Sequence, residues 1–139
     1  MNLKSQSIKG IKIGGNGLLG PLWGKKQIQT TIFEKPGIVS VEKFKGKIIS
    51  INYKSLQKYS ETEAELVAEK LNAKDDLNLV KNRSYGTICW TSSKPNPNNV
   101  LGTVKLSIST DQSFSIDIKD LEAVTQKDKH LLNTKYSDL

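Results

Sequence analysis

Few residues in this chain have chemistry to offer, and they do not converge. Gly15-Asn16-Gly17-Leu18-Leu19-Gly20 has the spacing G-x-G-x-x-G, which in a dinucleotide site opens a helix whose first amides hold a pyrophosphate. Pro21 and Gly24 stand where that helix would run, and a β-branched segment follows. A P-loop fails as well, because Gly24-Lys25 is followed by Lys26 and Leu19 occupies the first required glycine. His130 is the lone histidine, so neither an imidazole metal site nor a Ser-His-Asp arrangement gathers around it. Cys89 lies between Ile88 and Trp90 in a strand pattern, the setting of a buried, unactivated thiol. Asp75-Asp76 is a carboxylate pair without a third ligand at a useful spacing. We therefore expect a non-enzymatic protein with no cofactor and no metal.

The loop 14–26 is the more unusual segment. It sets Leu18, Leu19, Leu22 and Trp23 beside Lys25 and Lys26, with five glycines that let the backbone bend sharply. Apolar residues flanked by lysines suit contact with an anionic membrane surface or a groove on a partner protein. The alternative is that Leu22 and Trp23 fold back to close the end of the sheet. Lys43, Lys45 and Lys47 surround one turn and extend the same basic character, with Lys54 and Lys58 beyond.

The elements that must position these residues are mostly strands. Segments 8–13, 27–34, 38–44 and 47–53 carry Ile, Val, Thr and Phe, with turns expected at Pro36-Gly37 and Lys45-Gly46. Ser60-Glu61-Thr62-Glu63 reads as a capping box. Ala64, Val67, Ala68 and Leu71 then keep the i, i+3, i+4, i+7 spacing of one buried face, predicting a helix near 61–73. Strands near 85–92, 102–110 and 113–118 follow, then a C-terminal helix near 119–132. Ser93 to Asn99 is a turn-rich link, and Asp111-Gln112 a tight one. The expected fold class is α+β, mainly β, with about seven antiparallel strands in a small barrel or two packed sheets.

An internal repeat runs through this pattern. Displaced by 65 positions, residues 39–59 lie on 104–124 without a gap: Val39 meets Val104, Ile51 meets Ile116, Asn52 meets Asp117, and Tyr59 meets Val124. Tyr53 and Tyr59 stand opposite Ile118 and Val124, so they are expected in the core. Leu56 and Leu121 are expected to plug the end of the sheet with them.

The segments Ile49-Ser50-Ile51-Asn52-Tyr53-Lys54-Ser55-Leu56 and Phe114-Ser115-Ile116-Asp117-Ile118-Lys119-Asp120-Leu121 end a strand in an apolar-polar-apolar pattern, then a polar turn and an apolar anchor. In this, in strand number and in the closing helix, the chain resembles bacterial pleckstrin-homology-like domains over residues 8–132. That resemblance implies a binding module whose first inter-strand loop takes the ligand, here the loop 14–26.

At 139 residues the chain reads as one domain, 1–139. Its net charge of +7 comes from 20 lysines and a single arginine, Arg83, a bias that also arises from AT-rich coding. The excess lies in residues 1–59, where eleven lysines face only Glu34 and Glu42. With no apolar stretch of membrane-spanning length, no apparent signal segment and one cysteine, a cytoplasmic setting is expected.

The leading expectation is a non-catalytic module that engages a protein partner or an anionic membrane surface. The residues expected to carry it are Leu18, Leu19, Leu22, Trp23, Lys25, Lys26, Lys43, Lys45 and Lys47. One alternative is a single-stranded nucleic-acid binder of oligonucleotide-binding type, with Phe44, Tyr53 and Tyr59 as stacking faces. Another is a structural subunit of a phage or secretion assembly, in which the chain could also self-associate.

Overall fold

The computed structural model describes residues 7–8, 11–12, 24–75, 78–92 and 103–136. Two short strands, β1 (Ser7–Ile8) and β2 (Ile11–Lys12), pair with each other and lie against the main sheet at β5. That sheet has seven strands: β3 (Gly24–Ile32), β4 (Lys35–Phe44), β5 (Lys47–Ser55), β6 (Leu79–Ser84), β7 (Thr87–Ser92), β8 (Thr103–Ile108) and β9 (Phe114–Lys119). Helix α1 (Glu61–Asp75) separates β5 from β6, and α2 (Leu121–Lys135) follows β9. Every pairing is antiparallel, and the order across the sheet is β3-β4-β5-β9-β8-β7-β6. The mainly-β expectation holds, but the sheet is open rather than a closed barrel, because β3 and β6 each pair on one side only.

Alternation builds the two faces. Val39, Val41, Ile51, Tyr53, Val104, Leu106, Phe114, Ile116 and Ile118 are each 1% exposed or less and share one face, which we call inner. Burying each such side chain contributes on the order of 1.5–3 kcal/mol relative to leaving it in water. Their neighbours Ser40, Asn52, Lys54, Lys105, Ser107, Ser115 and Asp117 occupy the outer face and are half-buried or exposed. Residues of period two thus sort one sheet into an oily side and a polar side.

The hairpins β4–β5 and β8–β9 share one register. Val39 pairs Tyr53 and Val41 pairs Ile51 in the first; Val104 pairs Ile118 and Leu106 pairs Ile116 in the second, each partner 65 positions on. Where the hairpins meet, Asn52 pairs Asp117, and Asn52 Nδ2 donates to Asp117 Oδ1 at 2.6 Å. The correspondence ends after the strands. Leu56 and Leu121 are about half exposed and plug nothing. Tyr59 is fully buried against the inner face, whereas Val124 lies half-buried on α2.

Helix α1 starts at the expected capping box. The Glu63 backbone N–H donates to Ser60 Oγ at 3.1 Å, and the Ser60 N–H donates to Glu63 Oε1 at 3.0 Å. Lys35 Nζ donates to the same carboxylate at 2.8 Å, and this bond, with Ser60, holds the Glu63 carboxyl below its ordinary range. Ala64, Val67 and Ala68 join the inner core, and the small alanines let the helix lie close over β8. Ahead of the helix, Tyr59 stacks on Phe114 with ring centroids 4.3 Å apart and donates its hydroxyl to the Ile32 carbonyl at 2.8 Å. Burial, then the hydrogen bond with Tyr53, raise the Tyr59 hydroxyl well above the usual tyrosine value, so it stays a donor.

The β3–β4 turn departs from expectation. It falls at Phe33-Glu34, both at positive φ (51° and 61°), while Pro36 and Gly37 lie inside β4. Bulky residues disfavour that conformation. Phe33 offsets the strain by packing on the core with Lys70 Nζ 4.9 Å from its ring centroid. Gly37 is needed elsewhere: a Cβ there would lie 2.3 Å from Tyr53 Cε2. The other two-residue turns, Lys45-Gly46 and Tyr85-Gly86, also have both residues at positive φ, the mirror-image turn that suits strand twist.

Strand β6 was not expected. Leu79-Val80-Lys81-Asn82-Arg83-Ser84 shows little apolar alternation and is mostly exposed. It is an edge strand that lends its cations to α1: Lys81 Nζ and Arg83 Nη2 reach Glu61 at 2.8 and 2.7 Å. These donors hold Glu61 below its ordinary range. Solvent screens such exposed pairs, so they orient the edge more than they stabilise it. Charged side chains on an edge strand also deter pairing with another chain.

Two outcomes follow from this packing. Gly37→Ala forces its methyl into the Tyr53 ring and is expected to cost about 1–3 kcal/mol, read as a lower urea midpoint; an unchanged midpoint would contradict the close contact. Asp111, in the β8–β9 turn, accepts from the Ser109 hydroxyl and from the Ser113 hydroxyl and N–H, which hold its pKa at about 2. A folded value below the unfolded one gives stability present above about pH 4, lost as pH falls through that folded value. Carboxyl NMR should show Asp111 titrating near 2; a midpoint at the ordinary aspartate value would refute the turn geometry.

Candidate functional site

Strand β3 begins with Gly24 opposite Lys43, so the chain enters the sheet one position short of the Phe44 end of β4. Lys25 and Lys26 pair with Glu42 and Val41, and the Lys45-Gly46 turn closes the neighbouring hairpin at that same end. The register therefore brings the start of β3 and the turn lysines together. Leu18, Leu19, Leu22 and Trp23, and with them the G-x-G-x-x-G motif, lie outside the described residues, as does the link 93–99.

The three turn lysines do not form one basic edge. β4 and β5 are interior strands, and Lys43 is 6% exposed, in line with the inner-face residues Val39 and Val41. Lys45 and Lys47 are exposed, and Lys45 Nζ sits 5.3 Å from the Phe44 ring centroid. Regular alternation along β4 sets Lys43 inward, and a β-bulge lies opposite: Glu42 pairs Ser50 but Lys43 pairs Ile48, so Ile49 is the extra residue. Its carbonyl accepts from the Asp120 N–H at 2.9 Å, where α2 begins.

Helix α2 covers the outer face at this end. Asp120 caps it, with Oδ1 accepting from the Ala123 N–H at 3.0 Å. Lys127 forms a partly buried ion pair with Glu42, and His130 meets the Phe44 ring edge-on at 6.1 Å between centroids. His130 thus packs on a sheet residue, an arrangement that its place near a helix end did not announce. No residue of α2 is fully buried, and Ala123, Val124 and Lys127 are half-buried.

The rings offered as stacking faces for nucleic acid are inside. Tyr53 and Tyr59 are fully buried and Phe44 is 6% exposed. Cys89 corrects another expectation: it is half-buried on β7, paired with Asn82 and Ser107, and belongs to the outer face rather than to the core. Asp75 is the last residue of α1. Among the described residues, no group of three or more His, Cys, Asp or Glu side chains is placed to hold a metal ion.

A second feature escaped sequence reading altogether. Beside the Asn52–Asp117 pair the outer face hollows into a cavity of about 370 Å³, bounded by Ser40, Glu42, Ser50 and Lys119, with Gln27 at its rim. Four strands contribute to it, so only the cross-strand register assembles it; no spacing along the chain could have signalled it.

Among the described residues, no helix is long and apolar enough to cross a membrane. No protein-family model, curated protein or solved structure matches this chain.

Proposed function

We propose that this chain is a non-catalytic binding module that engages an anionic membrane surface through the end of the sheet where the loop 14–26 enters β3. The observation that supports it is the register: Gly24 pairs with Lys43, which sets the end of that loop beside the exposed Lys45 and Lys47. Two lysines on a tight turn cannot both turn inward, and neither has an acidic partner among the described residues. A neighbouring segment carrying Leu18, Leu19, Leu22 and Trp23 would add apolar insertion to that electrostatic attraction. At the opposite end of the sheet several cations are already paired. There Lys35 is engaged with Glu63, and Lys81 with Glu61 and Glu65.

Flotation with vesicles tests this reading. Binding is expected to phosphatidylserine-containing vesicles and not to phosphatidylcholine alone, and it should weaken as salt screens the charges. Each lysine near such a surface is worth about 1 kcal/mol, so Lys45→Ala with Lys47→Ala should weaken binding about twentyfold to thirtyfold. Trp23→Ala should weaken it further. Equal binding to neutral vesicles, or anionic binding indifferent to all three substitutions, would overturn the proposal. Salt-sensitive capture of a single-stranded oligonucleotide, with no vesicle binding, would favour the nucleic-acid alternative.

A further inference from the structure

We propose that the cavity on the outer face is a binding site for a small zwitterion of the amino-acid class, with its ammonium on Asp117 and its carboxylate on Lys119. This is independent of the membrane reading, since it uses a different surface and different residues.

The cavity exists because two nearly equivalent places on the sheet are finished differently. Across the β5–β9 seam, Ser50 pairs Lys119 on one side of Asn52–Asp117, and Lys54 pairs Ser115 on the other. On the Lys54 side, Ser107 Oγ lies 3.0 Å from Ser115 Oγ, and the two hydroxyls satisfy each other. On the Ser50 side, the residue in the place of Ser107 is Glu42, 65 positions earlier, and its carboxylate is drawn to Lys127 on α2. The Ser50 hydroxyl is left with no hydrogen-bond partner among the described residues, and the space beside it opens.

The groups facing that space are complementary to one kind of ligand. Asp117 spends one carboxylate oxygen on Asn52, and its other oxygen has no partner among the described residues. Lys119, exposed at the end of β9, has no carboxylate partner among them. Glu42 is paired with Lys127, so among the described side chains that line the cavity the unspent charges are one anion and one cation, which favours a zwitterion over a simple ion of either sign. Asp117 and Lys119 are two residues apart on one strand face, about 7 Å between their Cα atoms. An ammonium and a carboxylate joined through one carbon, each adding a hydrogen bond of about 2.8 Å, span that separation with the flexible lysine stem taking up the remainder. Ser40 and Ser50 can serve further polar atoms of the ligand. Among the described residues no aromatic ring lines the cavity.

Titration of the ¹⁵N-labelled full chain with glycine, L-serine and L-glutamine, at constant ionic strength and pH 7, tests the site. Acetate and methylammonium serve as the separated halves. The amides of Ser50, Asn52, Asp117 and Lys119 should shift saturably with at least one amino acid, at least tenfold more tightly than with either half. Asp117→Asn and Lys119→Met should each weaken that binding tenfold or more. Lys119 is exposed, so its substitution leaves the fold intact, and unchanged inner-face amides would show it. Absence of saturable shifts with all three amino acids would overturn the proposal. So would equal affinity for acetate or for methylammonium, or binding indifferent to Lys119→Met.

Discussion

The pairing of β5 with β9 is the constraint on which the rest depends. It joins the three-stranded meander β3-β4-β5 to the four strands β9-β8-β7-β6, and five cross-strand pairs from Ser50–Lys119 to Lys54–Ser115 carry the whole junction. Ile51–Ile118 and Tyr53–Ile116 face the core there, and all four side chains are 1% exposed or less. A slip of one residue would turn one strand over: with β5 in place, Ile116 and Ile118 would face outward and Ser115 and Asp117 inward, and the strands paired beyond β9 would follow. At about 1.5–3 kcal/mol per buried side chain, that exchange would forfeit a large part of a domain's net stability. The Asn52–Asp117 hydrogen bond, worth about 1.5–3 kcal/mol as a bond to a charged group, is the smaller term and favours the same register.

With the register fixed, the two helices take opposite faces. α1 follows β5 across the buried Tyr59 and lays Ala64, Val67 and Ala68 on the inner face over β8. α2 instead leaves β9 through the Asp120 cap and reaches Glu42 and Phe44 on the outer face. That difference is why the correspondence between hairpins ends with the strands. It also bears on the outer surface: the inner face is packed with apolar side chains, while the described outer-face residues Ser40, Asn52, Lys54, Lys105, Ser107, Ser115 and Asp117 are half-buried or exposed.

What was legible in the sequence follows the range of the forces involved. The capping box and the Ala64, Val67, Ala68 periodicity are local, and helix α1 stands where they placed it. The offset of 65 residues coincides with the shared register of the two hairpins, because alternation is written directly into the residues. The turn at Phe33-Glu34 was hidden, since Pro36-Gly37 offers better turn chemistry; what decides is the Tyr53 ring, which needs a glycine beneath it from another strand. Strand β6 was hidden because an edge strand has little to bury. Lys43 read as a surface lysine by its type, although its alternation with Val39 and Val41 sets it on the inner face. The outer cavity and the packing of His130 on Phe44 depend on residues brought together from distant segments, and no local pattern encodes them.

The most direct test of this account is the β5–β9 register in solution. Backbone cross-strand NOEs are expected to connect Asn52 with Asp117 and Tyr53 with Ile116, in the uniformly labelled chain without denaturant. NOEs displaced by one residue, or a β5 strand with no contact to β9, would contradict the division into a buried and a polar face, and with it every surface assigned above.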